Sequence, residues 1–264
     1  METQVQVQAA LGGWEARVLE PFIYAWAALA VAVCVLLFFV VAPYGRHVRE
    51  GWGPKIPSTL GWILMEAPSP ILMAVFYLLG DRKDLASTVF LAMWELHYFN
   101  RAFVFPLRRR GGQKAMPLVI PLQAVLFNCV NAWTCGRWLF TYGPAHGADW
   151  LGDPRFLLGA AMFLAGFATN LQSDEILRRL RAPGETAYKI PRGGLYRWIS
   201  APNYLGEILE WWGFAIATWA LGPVGFAIWT TANLAPRARS NHAWYRSRFP
   251  DYPSERRALI PYLF

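Results

Sequence analysis

The sequence FIYAWAALAVAVCVLLFFVVA, residues 22–42, has no charged side chain in 21 consecutive positions. A bilayer hydrocarbon core about 30 Å thick is crossed by roughly 20 apolar residues in one helix. A helix also satisfies its own backbone hydrogen bonds, which hydrocarbon cannot do. This stretch therefore predicts a membrane-spanning helix, and it decides the class of fold.

Six further apolar windows follow this first one along the chain. Of the 264 residues, 55% are hydrophobic and 16% are charged, a more apolar composition than is usual for a soluble domain of this length. The predicted spans are Phe22–Ala42, Ser58–Gly80, Leu85–Leu107, Pro117–Tyr142, Phe156–Leu171, Tyr204–Leu221 and Val224–Leu234. The sequence thus predicts an all-α integral membrane protein with about seven transmembrane helices in one bundle.

The positively charged residues lie mainly in alternate connecting segments. The segments after predicted spans one, three, five and seven have a net positive charge, whereas the N-terminus and the other segments are neutral or negative. Cytoplasmic loops of membrane proteins carry such an excess of Lys and Arg. We therefore expect the N-terminus outside and the C-terminus in the cytoplasm. The Arg108–Arg110 run and the net charge of +8 then require no nucleic-acid partner.

The N-terminal residues and the cysteines exclude two other classes of protein. The first fifteen residues are polar and precede no short apolar region with a small-residue cleavage site, so the first helix is predicted to be an uncleaved anchor. Cys34, Cys129 and Cys135 lie in predicted spans, without C-x-x-C spacing or a His at ligand spacing. This pattern indicates small buried side chains, not disulfides or a metal site.

Ionisable residues within the predicted spans need a separate explanation, because each costs at least about 2.5 kcal/mol at membrane depth. Glu66 lies in WILMEAPSP, residues 62–70, where Pro68 and Pro70 are expected to bend or break the helix. A helix broken at membrane depth often lines a cavity. Glu66 is therefore a candidate functional residue, and a carboxyl satisfied by a neighbouring helix is the alternative.

A second group of polar residues lies in WELHYFNR, residues 94–101. His97 and Arg101 are four positions apart, and Glu95 and Tyr98 are three apart, so each pair lies on one helix face. A phenol beside a buried carboxyl can polarise a carbonyl oxygen. Tyr98 is thus a catalytic candidate, with interfacial anchoring of Tyr98 and Arg101 as the alternative.

A third group forms a stripe that runs out of the fifth predicted span. Asn170, Asp174, Arg178 and Arg181 are four, four and three positions apart and therefore share one helix face. Amide, carboxylate and guanidinium groups in such a row can bind ribose and phosphate oxygens. A solvated helix face is the alternative. The sequence contains neither a Rossmann G-x-G-x-x-G nor a Walker loop, so any dinucleotide is expected to bind to helix ends and loops.

A fourth group, Asn203, Glu207 and Glu210, shares one face of an otherwise apolar helix. Two acids on one membrane helix need partners, and a purely structural ion-pair network is the alternative to a binding site. The expected partners lie in the C-terminal segment and are Arg237, Arg239, Asn241, His242 and Tyr245.

Several motifs of the chain together resemble the steroid 5α-reductase family. The motifs in the C-terminal half are NLQSDEILRRLRAPGETAYKIPRGGL (residues 170–195), NYLGEILEW (203–211) and YPSERRALIP (252–261). A looser similarity includes Glu66-Ala-Pro-Ser69 and His97-Tyr-Phe-Asn-Arg101. The similarity is dense from Phe156 to Phe264 and leaves only the first fifty or so residues uninformative.

The resemblance implies one membrane reductase domain over residues 1–264, with NADPH as cofactor in a cytoplasm-facing cavity. Residues 20–155 would supply the substrate-side catalytic residues, and residues 156–264 would bind the nucleotide. Family catalytic positions correspond to Glu66 and Tyr98. Family nucleotide contacts correspond to Arg101, Asn170, Asp174, Arg178, Arg181, Tyr188, Asn203, Glu207, Arg237 and Tyr245.

Two positions depart from the family pattern. The Gln that precedes the catalytic Glu in animal members is Met65 here. The cluster of histidines in the tail is reduced to Asn241 and His242, and either side chain could take the position of the nucleotide-binding His.

The chemistry implied by the resemblance is the reduction of the 4,5 double bond of a 3-oxo-4-ene steroid to a 5α-dihydrosteroid. An isolated alkene is a poor hydride acceptor, whereas conjugation to a carbonyl makes C5 electrophilic. Glu66 and Tyr98 would polarise the C3 carbonyl oxygen. We expect the steroid to enter from the bilayer of a bacterial inner membrane, without an obligate protein partner.

Three alternative functions fit part of the same pattern. Reductases of enoyl-CoA or polyprenol lipids share some of the C-terminal motifs. A membrane methyltransferase of the isoprenylcysteine or phospholipid type shares the helix-and-tail layout, and it would bind S-adenosylmethionine. A lipid-binding scaffold would need no cofactor, and it would leave four polar helix faces without a purpose.

Overall fold

The computed structural model of the chain describes residues 2–41, 47, 51–109, 115–147, 149–182, 185 and 187–264, with side chains from residue 13 onward. The predicted end of the first span at Ala42, Arg110 of the basic run, and the turn residues Pro183 and Gly184 lie outside the described residues.

Helices make up most of the described chain. They are α1 (Glu2–Phe39), α2 (Ser58–Glu66), α3 (Pro68–Leu79), α4 (Leu85–Phe99), α5 (Phe105–Arg108), α6 (Val119–Arg137), α7 (Pro154–Arg179), α8 (Pro202–Thr218) and α9 (Leu221–Arg248). Single π-helical turns at Asn100–Val104 and Trp138–Tyr142 follow α4 and α6, and 3₁₀ turns occur at Trp150–Gly152 and Gly194–Arg197.

The predicted all-α fold agrees with this helical content, and a short β-ribbon is the one addition among the described residues. Strands β1 (Lys55–Pro57) and β2 (Ala115–Pro117) pair antiparallel, with Ile56 opposite Met116. Strands of three residues that end in proline show no alternation of apolar and polar residues long enough to predict them. The ribbon joins the chain before α2 to the chain before α6.

Four helical segments are long and apolar enough to cross a membrane: Gly13–Phe39, Ser58–Leu79, Val119–Tyr142 and Pro154–Arg179. The other three predicted spans are also helical. The third continues from α4 through the π-helical turn into α5, and the sixth and seventh correspond to α8 and α9. The second is interrupted as its prolines predict, since α2 ends at Glu66 and α3 begins at Pro68.

Helix α9 extends beyond the predicted end of the seventh span at Leu234. Helix α9 continues to Arg248 and includes Pro236 in its interior. The proline removes one backbone hydrogen bond. Buried side chains on both sides of it, among them Leu234 and Ala238, pack with α8 and the C-terminal residues and hold the helix together.

Helices α7 and α8 pack with their backbones in direct contact. A Cβ atom added at Gly206 would lie 2.6 Å from the backbone nitrogen of Asn170, and Gly159, Gly166 and Gly213 are equally crowded by the facing helix. Glycines spaced seven residues apart on each helix keep one packing seam free of side chains. This contact brings the polar stripe of α7 against the first turns of α8.

An aromatic core lies beside these polar residues. Trp94 of α4 packs against Trp211 and Phe214 of α8 and Phe226 of α9, with ring centroids 5.1, 5.9 and 5.3 Å away. Trp94, Trp211 and Phe214 are at most 1% exposed. Because large rigid rings fill this layer, the side chains of the next helical turn are held in fixed positions.

Candidate active site

A cavity of about 570 Å³ opens between the ends of five helices. Its wall includes Trp62 of α2, Phe105 of α5, Asp174 of α7, Asn203 of α8 and Tyr245 of α9. A cavity of this size, with an aromatic lining and a few convergent polar groups, is typical of a ligand or cofactor site.

Arg101, from the π-helical turn after α4, lies in the cavity wall between two carboxylates. Its guanidinium lies 3.3 Å from a carboxylate oxygen of Asp174 and 3.6 Å from one of Glu207. The same group stacks 4.9 Å from the ring centroids of both Trp62 and Phe105. Two acids and two rings therefore fix the plane of the guanidinium.

The polar stripes of α7 and α8 meet at this arginine. Asn203 donates a hydrogen bond of 3.2 Å to Asp174. Asn170 donates one of 3.0 Å to the backbone carbonyl of Asn203. The structure thus brings together Arg101, Asp174, Asn203 and Glu207, and we call these four residues the Arg101 cluster.

The arginines of the stripe have different surroundings. Arg178 donates two hydrogen bonds of 2.6 Å to Glu175, a carboxylate that also pairs with Arg108 and Arg179. Arg181 lies beyond the last residue of α7, donates to the carbonyl of Ala187 and stacks 4.6 Å from the Tyr188 ring. Arg178 and Arg181 both line the cavity.

The expected partners of Glu207 and Glu210 in the C-terminal segment are wrong. Arg237 and Asn241 instead donate to the hydroxyl of Tyr204, at 3.1 and 3.4 Å. His242 bonds to Ser200 at 2.6 Å, and the Arg239 guanidinium lies over the Phe38 ring. The tail therefore contacts the first turn of α8 and the end of α1, whereas the acids pair with His97 of α4 and with Arg101 in the π-helical turn after it.

Sequence reasoning missed the actual partner of Glu210. His97 Nδ1 lies 2.8 Å from Glu210 Oε1, and the two residues are 3% and 0% exposed. The His97 ring packs against the Tyr98 and Trp211 rings at 5.0 and 4.7 Å. Because the two residues are 113 positions apart, helical spacing could not predict this pair.

The two catalytic candidates lie next to this layer. Tyr98 is 3% exposed, and its ring lies 4.9 Å from the Trp94 ring and 5.6 Å from the Trp211 ring. Glu66 is half-buried and accepts a hydrogen bond of 3.3 Å from Asn128, which also donates to the carbonyl of Met65 at 2.5 Å. Neither Glu66 nor Tyr98 belongs to the cavity wall.

The predicted pairing of Glu95 with Tyr98 is not among the contacts of the described residues. The Glu95 carboxyl is half-buried, and its Oε1 atom accepts no hydrogen bond from them.

Several acceptors near the cavity remain unsatisfied. Among the described residues, Oε2 of Glu207, Oε2 of Glu210 and the hydroxyl of Ser69 are buried and form no hydrogen bond. Buried polar atoms without partners are rare in stable proteins and often point to an absent ligand. Glu207 Oε2 is the oxygen that lies 3.6 Å from the Arg101 guanidinium, so it has a charged neighbour but accepts no hydrogen bond from the described residues.

Comparison with known proteins identifies the family of the chain. Residues 114–264 match the family model described as 3-oxo-5-alpha-steroid 4-dehydrogenase. The chain is 42% identical to 3-oxo-5-alpha-steroid 4-dehydrogenase 1 of Bos taurus, over 94% of this chain and 98% of that protein. It is 38% identical to the Homo sapiens protein of the same name, over 97% and 99%, and 40% identical to steroid 5-alpha-reductase DET2 of Gossypium hirsutum, over 89% and 93%. Since the similarity extends over nearly the whole length, the chain belongs to the 3-oxo-5-alpha-steroid 4-dehydrogenase family of oxidoreductases.

Proposed function

We propose that this protein uses NADPH to reduce the 4,5 double bond of a 3-oxo-4-ene steroid to the 5α-dihydrosteroid. The observation that carries the proposal is the position of Arg101. This residue lies in the cavity wall and pairs there with Asp174 and Glu207. Tyr98, the phenol that would bind the reacting carbonyl, lies only three residues before it in the sequence.

The lining of the cavity fits an anionic dinucleotide. Guanidinium groups favour phosphates, and a 2′-phosphate in particular. The amides of Asn170 and Asn203 suit hydroxyl and carboxamide groups. The residues that would hold NADPH are Arg101, Asn170, Asp174, Arg178, Arg181, Tyr188, Asn203, Glu207, Arg237, Asn241 and Tyr245. When bound, NADPH supplies the hydride that the reaction adds to C5.

The protein itself would polarise the substrate. Glu66, in its protonated form, and Tyr98 donate hydrogen bonds to the C3 oxygen and stabilise the negative charge that develops there. The dry aromatic layer of Trp94 and Trp211 strengthens these bonds because it excludes water. C4 then takes a proton from a side chain or from solvent.

We also propose a topology for the whole chain. The four long apolar segments together with α4, α8 and α9 make seven spans, with the N-terminus outside and the C-terminus in the cytoplasm of a bacterial inner membrane. The exposed leucines Leu78, Leu126 and Leu158 are 73%, 67% and 63% exposed, as side chains in contact with lipid would be. The steroid would enter from this bilayer, toward the helices of residues 20–155, while residues 156–264 bind the nucleotide.

An assay of the purified protein in detergent tests the function. Testosterone or progesterone is added with NADPH, and nicotinamide absorbance and product mass are followed together. We expect loss of absorbance and a product heavier by two hydrogens. NADH in place of NADPH tests the phosphate contact, because equal efficiency would remove the need for one.

The same preparation separates the alternatives. Activity only on enoyl thioesters or polyprenols would move the substrate assignment to those lipids. Binding of S-adenosylmethionine in place of NADPH would favour a methyltransferase. No turnover on any of these substrates would overturn the proposal.

A further inference from the structure

The C-terminal end of the chain presents large apolar side chains to its surroundings. Tyr262 and Leu263 are 78% and 81% exposed, and Trp198 and Ile260 are each 41% exposed. We call residues 257–264 together with Trp198 the C-terminal foot. Exposed apolar groups gathered in one place usually mark a protein or membrane contact.

The exposed side chains of the foot belong to a segment that backbone hydrogen bonds hold together. The backbone nitrogen of Arg257 donates to the carbonyl of Trp198 at 2.9 Å, and that of Ser200 donates back to Arg257 at 2.9 Å. The final turn closes where Phe264 accepts two backbone hydrogen bonds of 2.6 Å. Tyr262 has a φ of 66°, a left-handed conformation that is costly for a bulky residue. The foot therefore holds its apolar side chains outward in one conformation.

The foot lies at the end of a membrane-spanning segment. Its Phe264 ring packs 6.4 Å from the ring of Phe38, one residue before the span Gly13–Phe39 ends. Its Ala258 and Leu259 are buried against α9. This contact places the foot at the depth where hydrocarbon gives way to lipid headgroups.

The charges near the foot suit that depth. Arg197, Arg239 and Arg257 are exposed, and none forms an ion pair with another described residue. The guanidinium of Arg239 lies 5.7 Å from the Phe38 ring. Unpaired arginines beside Trp and Tyr side chains are the composition that proteins show at a membrane surface rich in anionic lipid.

We propose that the foot is immersed in the headgroup layer of the bilayer and binds anionic phospholipid. Tyr262, Leu263 and Trp198 contact the upper acyl chains, while the arginines contact lipid phosphates. Trp198 is only five residues before Asn203 of the Arg101 cluster. The bilayer therefore holds the beginning of α8, and with it one wall of the cavity, in position. The inference rests on α1 crossing the membrane and does not depend on the reaction catalysed.

The depth of a fluorescent label tests the proposal in the full-length protein. In a background of Cys34→Ala and Cys129→Ala, with buried Cys135 kept, the substitution Leu263→Cys carries the label in lipid nanodiscs. The matched control is Ser247→Cys, an exposed position near the end of α9. A helix of 28 residues is about 42 Å long, so the end of α9 extends past a 30 Å hydrocarbon core. Melting temperatures equal to that of the background establish that both labelled proteins are folded.

We expect blue-shifted emission at position 263 and several-fold stronger quenching by headgroup nitroxide lipids than at position 247. Equal, water-like emission at both positions would overturn the proposal, as would a shift at position 263 that follows protein concentration and not lipid.

The charge requirement is tested with Arg197→Gln, Arg239→Gln and Arg257→Gln together. These changes should remove any extra quenching seen in anionic compared with zwitterionic discs. Identical quenching in both lipids before and after the changes would overturn the anionic preference.

Discussion

Two polar clusters within the apolar helices differ in how completely they are paired. In the Glu15 cluster, Glu15 of α1 accepts hydrogen bonds of 2.6–2.8 Å on both oxygens from Trp133, Arg137 and Tyr142. In the Arg101 cluster, the charged contacts are longer, 3.3 and 3.6 Å, and one oxygen of Glu207 accepts no hydrogen bond from the described residues.

The difference separates a structural contact from a binding site. A cluster whose members all find partners stabilises the contact between two helices, here α1 and α6. A cluster in which two buried carboxylates share one cation at longer distances is costly unless another molecule completes it. Charge at membrane depth is thus a poor guide to function, whereas incomplete pairing of that charge is a better one.

The largest expected effect concerns the buried His97–Glu210 pair, which adjoins the Arg101 cluster. Glu210→Ala should reduce the free energy of unfolding by about 3–5 kcal/mol, because it leaves His97 buried without its partner. Unfolding of the detergent-solubilised protein by heat or denaturant measures the loss. The double change His97→Phe with Glu210→Leu should restore most of the stability, since it removes both polar groups. If Glu210→Ala lowers the free energy of unfolding by less than about 1 kcal/mol, His97 does not need Glu210 as a buried partner.

The second effect tests the catalytic candidates. Tyr98→Phe and Glu66→Gln should each lower turnover by about 10²- to 10³-fold, as the loss of one oxyanion donor does. NADPH affinity and melting temperature should stay close to those of the unchanged protein. Tyr24→Phe, on the exposed face of α1, serves as control. Near-normal rates in both variants would refute the assignment.

The third effect tests the structural role of the Glu15 cluster. Glu15→Gln should lower the free energy of unfolding by about 1.5–3 kcal/mol, because hydrogen bonds to a charged group become neutral ones. Steroid turnover per folded molecule should not change. A large loss of kcat at full NADPH saturation would mean that this cluster, too, belongs to the active site.

The fourth effect distinguishes Arg101, in the cavity wall, from Arg137, which pairs with Glu15. Arg101→Lys keeps the charge but loses the planar fork and its stacking on Trp62 and Phe105. We expect NADPH affinity to fall about tenfold, equivalent to about 1.4 kcal/mol. The matched change Arg137→Lys should leave that affinity unaltered. Titration of nicotinamide fluorescence measures both, and equal affinities would remove Arg101 from the cofactor site.

The smallest effect concerns pH and His242, outside the membrane spans. Burial lowers the pKa of His242, and the charges of Arg246 and Arg257 lower it further. The neutral ring bonded to Ser200 therefore stabilises the fold above the ordinary histidine pKa of about 6.5. This stability is lost as the pH falls through that value toward the lower pKa of the folded state. Melting temperature should drop more between pH 7 and pH 5 in the unchanged protein than in His242→Gln, and parallel curves would contradict the assignment.

Local patterns in the sequence predicted the helices and much of the site. The stripe from Asn170 to Asp174 and the face of Asn203 and Glu207 depend only on helical spacing, and the structure brings these residues together in one cluster. The extension of α9 through Pro236 could not be predicted, because a proline normally ends such a pattern. Tertiary packing of buried side chains on both sides of Pro236 keeps the helix continuous.

The choice of partners was the least predictable feature. The sequence predicts partners for Glu207 and Glu210 in the tail, because the tail is rich in Arg. In the structure, Glu207 pairs with Arg101 and Glu210 pairs with His97. The signal that could have indicated this was the series Gly159, Gly166, Gly206 and Gly213. Its seven-residue spacing implies close contact of α7 with α8, and so places the acids of α8 beside Asp174.

The sequence by itself determined the long apolar helices and the family, because these depend on the length and order of apolar segments and on local motifs. Only the tertiary structure decided which charges meet and which remain unpaired. Which charges pair depends on the distance and direction between side chains on different helices. These depend in turn on how closely the glycines of α7 and α8 let the two backbones approach.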